Sequence, residues 1–217
     1  MQVHIRFQAN AEAFVLAATS GRRARAESIL GARPEIENDD WAGLVLGRGW
    51  SGDPSRPGGP RGWAPLLYVC HSCFASASLA RELLARGADP NVSFVNEYGE
   101  MSALYGAAGV VHDPELTRAL LEAGANPDDG ESLYHATEAE SPECLRLLLA
   151  QGATVNGTNA LAHALDDDRP EHVRLLLEAG ADPNAGALVA HAVRRGRGEE
   201  LVRLLVEHGA DVERPGG

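Results

Sequence analysis

Five times along the chain, a run of leucine and valine ends in glycine and alanine and gives way to polar residues. Leu83-Leu84-Ala85-Arg86-Gly87-Ala88-Asp89-Pro90-Asn91 is one copy, Leu120-Leu121-Glu122-Ala123-Gly124-Ala125-Asn126-Pro127 the next, and Leu148-Leu149-Ala150-Gln151-Gly152-Ala153-Thr154-Val155-Asn156 the third. The glycines stand at 87, 124, 152, 180 and 209, at intervals of 37, 28, 28 and 29 residues. Runs such as Val173-Arg174-Leu175-Leu176-Leu177 give a helix a buried stripe, and the glycine behind each can take the left-handed conformation that ends it. Between these runs lie second apolar clusters rich in alanine: Leu104-Tyr105-Gly106-Ala107, Leu133-Tyr134-His135-Ala136, Leu161-Ala162-His163-Ala164 and Val189-Ala190-His191-Ala192. Small alanines let a short helix pack closely on its neighbours. Self-similarity at this spacing predicts a tandem array of helix pairs.

Helix, turn, helix and then Gly-Ala-Asp-Pro-Asn resembles the ankyrin repeat, whose first helix usually opens Thr-Pro-Leu-His-x-Ala. The nearest match to that opening is Ala64-Pro65-Leu66-Leu67-Tyr68-Val69. The resemblance covers residues 62–211, and extends to 11–37, where Phe14-Val15-Leu16-Ala17-Ala18 and Ala26-Glu27-Ser28-Ile29-Leu30 match a first pair of helices. It implies an all-α solenoid of about six helix-turn-helix repeats in one domain over residues 1–217. The expected divisions are a capping repeat at 11–37, an irregular helix with a Gly/Pro loop at 38–62, and repeats at 63–91, 102–127, 131–156, 159–184 and 187–212.

The departures from that pattern are informative. A period of about 33 residues is usual, so the later repeats are short where β-hairpin fingers would form, and those fingers should be clipped. The interval from Gly87 to Gly124 leaves room for a full finger at Val92–Met101, carrying Phe94 and Tyr98. No repeat keeps the Thr-Pro-Leu-His histidine. Asp39-Asp40-Trp41-Ala42-Gly43-Leu44-Val45-Leu46 reads as an aspartate-capped helix, whereas Ser51–Gly62, dense in glycine and proline, predicts a long mobile loop in place of a second helix. Leu201–Val206 is as apolar as the internal copies, and Asp211–Gly217 reads as an interrupted approach to another repeat. That end is expected to continue into further repeats or to associate with another molecule.

Charge narrows the partners. Acidic residues outnumber basic ones by 31 to 19, a net charge of -12, which repels nucleic-acid phosphates and anionic lipid. No apolar run approaches the length of a membrane span. Three cysteines, Cys70, Cys73 and Cys144, are too few and too scattered for a disulfide framework, and a cytoplasmic protein is the reading that fits.

Catalytic motifs are absent: there is no Gly-x-Ser-x-Gly, phosphate-cradling glycine loop or His-Glu-x-x-His, and no cofactor or metal is expected. The resemblance instead implies a non-enzymatic module, a scaffold, adaptor or inhibitor that holds another protein on a concave face built from fingers and short first helices. The residues so assigned are Trp63, His71, Ser72, Phe94, Asn96, Tyr98, Val110, Val111, His112, Glu138, Glu140, Asp166, Asp167, Arg194 and Arg195. Trp63, Phe94 and Tyr98 are the aromatic anchors among them. Asp166-Asp167-Asp168 reads as a solvated turn. His135, His163 and His191 should stack in a column, too far apart for one metal ion, each bonded to a loop carbonyl. Cys70 and Cys73, on a predicted helix, are read as buried packing residues. The rival reading is a small-molecule or metal site, with the loop at 51–62 closing as a lid over Tyr68, His71 and Tyr105.

Overall fold

The computed structural model describes residues 2–213. Helices α1 (Gln2–Ala18) and α2 (Arg23–Ala32) form the first pair, followed by a 3-10 turn (Pro34–Asn38) and the short α3 (Asp40–Val45). The pairs α4 (Pro65–Cys70) with α5 (Ala77–Ala85), and α6 (Ala103–Tyr105) with α7 (Pro114–Glu122), come next. They are separated by the hairpin strands β1 (Ser93–Asn96) and β2 (Gly99–Ser102). The remaining pairs are α8 (Ser132–His135) with α9 (Glu143–Ala150), α10 (Ala160–Asp166) with α11 (Pro170–Glu178), and α12 (Leu188–Arg194) with α13 (Glu199–Glu207). The first helix begins at Gln2, upstream of the residue-11 start read from the sequence. Arg214–Gly217, the end of the segment read as an approach to another repeat, lie outside the described residues.

The recurring Gly-Ala does the work its position suggests. Gly152 sits at φ 85° and donates its N–H to the Leu149 carbonyl, while the Ala153 N–H reaches back to Leu148. This pairing satisfies carbonyls that a helix end leaves open, and a side chain at that φ would be strained. The same two bonds close α5, α7, α11 and α13. Helix starts are set by proline in the first turn of α4, α7 and α11, and by the Asp39, Ser76, Ser102 and Asp113 side chains, which accept from backbone N–H groups.

Packing is sequential. The short helices α4, α6, α8, α10 and α12 lie in file; on the other side α5, α7 and α9 pack successively, as do α11 and α13. Leu83, Leu120, Leu148, Leu176 and Leu205, each four residues before its glycine, are all 0% exposed. Burying one such side chain stabilises by about 1.5–3 kcal/mol, and the leucine gains this only if the adjacent pair is present. Ala107, Ala136, Ala164 and Ala192 are likewise fully buried, where the short helices touch.

Asparagine clasps join one turn to the next. Asn91 Nδ2 donates to the Gly124 carbonyl at 3.2 Å and its Oδ1 accepts from the Asn126 N–H at 2.7 Å. Asn156 holds Gly180 and Asp182 in the same way, and Asn184 holds Gly209 and Asp211. Asp128 occupies the matching position in the intervening repeat and accepts from Thr154 N–H and Oγ1 instead.

Two local features depart from the regular stack. Residues Gly106–Val111 continue α6 as a π-helical turn, ending at His112 in the left-handed conformation. A Cβ on Gly106 would fall 2.7 Å from the His71 ring and 2.9 Å from the Cys70 carbonyl, so only glycine lets α6 lie this close to α4. The second feature is the segment from Gly52 to Gly62, which is tied down at several points. Tyr68 donates its hydroxyl to the Gly58 carbonyl and accepts from the Arg61 N–H, both at 2.8 Å. Arg61 also reaches back to Thr19 Oγ1 at 2.6 Å, and its guanidinium lies over the Trp63 ring. These anchors correct the expectation of a free loop.

Candidate interaction surface

The short helices, the segment joining α3 to α4 and the hairpin carry one continuous row of aromatic and imidazole rings. Trp50 meets Trp41 at 4.5 Å between ring centroids, Trp41 meets Tyr68 at 4.9 Å, and Tyr68 meets Trp63 at 5.5 Å. Trp63 stacks on Phe94 of β1 at 4.1 Å and touches His71, which reaches Tyr105. From Tyr105 the row passes to His135, Tyr134 and His163 at 5.1, 4.9 and 4.3 Å. Such pairs contribute about 0.5–1.5 kcal/mol each beyond the area they bury. The row thereby ties the hairpin to the helices behind it.

The hairpin pairs Ser93 with Ser102 and Asn96 with Gly99. Asn96 Oδ1 accepts from the Tyr98 and Gly99 N–H groups and shapes the tip. Phe94 turns onto Trp63, while Val95 (79% exposed) and Tyr98 (80%) face solvent. Alternation along a strand separates these roles: one side chain anchors the finger and its neighbour is offered outward.

Several residues assigned to the surface are not on it. Trp63 is buried beneath Arg61 and Phe94. His71 is buried and donates Nε2–H to the Ser102 carbonyl at 3.1 Å. Its burial pushes the imidazole pKa down to about 4, so the ring is neutral at physiological pH. Ser72 is fully buried and donates to the Val45 carbonyl. These three support the surface from beneath. Cys70, Cys73 and Cys144 are free thiols; α4 ends at Cys70, so Cys73 lies in the turn rather than on the helix, and burial raises the pKa of all three.

Others do reach solvent. Val110 is exposed, with Val111 and His112 half-buried beside it, and His112 Nδ1 donates to the Ala108 carbonyl. Glu138, Glu140, Asp167 and Arg194 are exposed. Asp166 is not free: Arg195 Nε donates to it at 2.7 Å and His191 Nε2 at 2.8 Å, which together hold its carboxyl below the ordinary aspartate range.

The histidine column bonds side chains rather than the loop carbonyls expected. His135 donates Nδ1–H to Glu138 at 2.8 Å, with Glu131 3.3 Å from its other nitrogen. Thr137 gives its one proton to the Tyr134 carbonyl, so the 2.8 Å contact with His163 is an Nδ1–H donated to Thr137 Oγ1. His163 and His191 thus each bond the preceding repeat. Among the described residues, no group of three His, Cys, Asp or Glu side chains is arranged to hold a metal ion.

Comparison with known proteins shows what this architecture is similar to. Residues 104–187 match the model for ankyrin repeats, in three copies. Those residues are similar to ankyrin repeats, and the whole chain has the ankyrin-repeat fold. Among solved structures, 222 chains match. One is the crystal structure of the human ASB11 ankyrin repeat domain, which aligns over 94% of this chain and 86% of that one, with a TM-score of 0.63 and 21% identity. No curated protein sequence matches. No helix among the described residues is long and apolar enough to cross a membrane.

Sequence reasoning found the ankyrin finger but missed most of the aromatic row. Trp41, Trp50 and Tyr134 lie in different segments, and nothing in their spacing predicts that they converge. The asparagine clasps could have been found: Asn91, Asn156 and Asn184 each stand four residues after their glycine.

Proposed function

We propose that this chain is a non-enzymatic, cytoplasmic recognition module whose ankyrin stack holds a partner protein between the β1–β2 finger and the exposed ends of the short helices. Ankyrin repeats are in general protein-interaction modules, and the observation that carries the reading here is the finger itself. Val95 and Tyr98 are about four-fifths exposed on a hairpin that Phe94 and Trp63 hold in place. Exposed apolar side chains on a pre-organised support cost little ordering entropy when a partner covers them. Val110, Val111, His112, Glu138, Glu140, Asp167 and Arg194 extend the same surface along the repeats. The lid reading has less support, since the loop packs through Tyr68, Trp41 and Trp63 onto the side chains it would have to uncover.

The test compares proteins captured by the intact chain, by a Val95→Ser/Tyr98→Ser variant and by an outer-helix Arg81→Ala/Arg118→Ala variant. Quantitative mass spectrometry should show a partner retained by the first and third and reduced at least tenfold on the second, the size expected for one aromatic hot spot. Equal capture by all three would overturn the proposal.

A further inference from the structure

Between the aromatic finger and the Asp166–Arg195 pair lies a stretch of the same face with a different character. Glu131 and Glu138 flank His135 on both ring nitrogens, and Glu138 also lies 3.9 Å from His163 Nε2. Tyr105 and Tyr134 meet the His135 ring edge-on at 5.1 and 4.9 Å, and both tyrosines remain partly exposed. Asp167 stands exposed at the next repeat. Among the described residues no arginine reaches the side-chain carboxylates of Glu131, Glu138 or Asp167, although outer-helix carboxylates such as Glu115 and Glu171 are paired with arginine. The carboxylates here are close enough to Tyr134 that Glu138, Asp167, Asp166 and Glu131 add to the effect of burial in raising its phenol pKa.

We infer that this stretch binds an extended, arginine-bearing segment of the partner, with guanidinium groups placed against Tyr105 and Tyr134 and bonded to Glu131 and Glu138. The inference rests on the proposed recognition role and names the chemistry of its partner. A guanidinium fits both halves of the surface: its plane stacks on an aromatic ring, and its fork of donors suits carboxylates. The chain already uses both modes internally, with Arg61 over Trp63 at 4.6 Å and Arg195 on Asp166. Charge complementarity favours this occupant across the whole molecule, whose net charge is -12. Spacing sets the register. Successive short helices lie about 8–10 Å apart, and a polyproline II segment places every third side chain on one side at intervals of about 9 Å. Arginine at every third position therefore meets one repeat after another.

The probe is a fluorescein-labelled peptide of Arg-Pro-Pro triplets, read by fluorescence anisotropy against a Glu-Pro-Pro counterpart. Two double variants carry the same net charge: Glu131→Gln/Glu138→Gln on the inner face and Glu115→Gln/Glu171→Gln on the outer helices. The arginine peptide should bind the intact chain, bind the outer-face variant within about twofold, and bind the inner-face variant on the order of tenfold more weakly, as loss of charged hydrogen bonds requires. Circular dichroism confirms that each variant is folded. Equal weakening by both variants would show attraction by total charge alone and overturn the inference, as would binding no tighter than that of the glutamate peptide. Cross-linking gives a second reading, because all 19 basic residues are arginine and the chain has no lysine. Carbodiimide coupling of a peptide with one added lysine should join it to Glu131, Glu138 or Asp167; coupling confined to outer-helix carboxylates would contradict the site. A natural partner whose capture needs Tyr98 but ignores Glu131→Gln/Glu138→Gln would remove this inference and leave the recognition role standing.

Discussion

His71 shows how a single side chain can serve the stack without touching solvent. Its ring fills the space left by Gly106, lies against Trp63 and Phe94, and gives its one proton to the Ser102 carbonyl at the root of β2. Burial holds the folded pKa near 4, below the ordinary value of 6.5, so the unfolded chain binds the proton more readily. The stabilisation is complete above pH 6.5 and is lost as pH falls toward 4, by on the order of 3 kcal/mol. His172 acts in the same direction: it is buried, its Nε2 has no partner, and burial followed by the Arg169 charge lowers its pKa. Urea midpoints measured at pH 7.5 and pH 4.5 should therefore differ more for the intact chain than for His71→Gln, which carries no ionisable group there. An identical pH dependence in the two proteins would refute the role given to His71.

At the level of the element, the repeat is defined as much by what it hands to its neighbour as by its own helices. Asn156 is exposed, yet its amide bonds both the Gly180 carbonyl and the Asp182 N–H. Removing two exposed hydrogen bonds costs about 1–2 kcal/mol, so Asn156→Ala should lower thermal stability by several degrees. Conversely, Asp128→Asn should restore a donor where the series lacks one and leave stability equal or slightly raised. A null effect of Asn156→Ala in thermal unfolding would mean that the clasps only accompany the leucine packing. The helix pairs and the one full finger were legible because leucine spacing, glycine stops and interval lengths are local signals. The side-chain roles were not. Trp63, His71 and Ser72 read as surface because they flank a short helix in sequence, whereas Arg61 and Phe94 cover Trp63, Phe94 also covers His71, and Ser72 is turned inward onto the Val45 carbonyl. That convergence depends on Tyr68 capturing Gly58 and on Arg61 reaching Thr19, contacts 10 and 42 residues apart that no periodicity announces.

At the level of the whole molecule, the side chains that hold the stack together are separate from those left facing outward. The leucine column and the asparagine clasps hold the repeats in file, the ring row stiffens one side, and Val95, Tyr98 and the carboxylates near Tyr134 are left facing outward. The outer helices carry arginine–glutamate pairs such as Arg81–Glu115 and Arg174–Glu200; pairs this exposed contribute little to stability, and they keep that side polar. Val193 and Val206 also remain exposed near the last repeat, apolar positions that the internal repeats cover by stacking. Under the proposed function, the inner side would meet a partner and the outer side would not. Amide hydrogen exchange of the chain, alone and with the partner it captures, tests that division directly. Added protection should concentrate in residues 93–101 and at the ends of α6, α8 and α10, with α7, α9 and α11 unchanged; protection confined to those outer helices would contradict it.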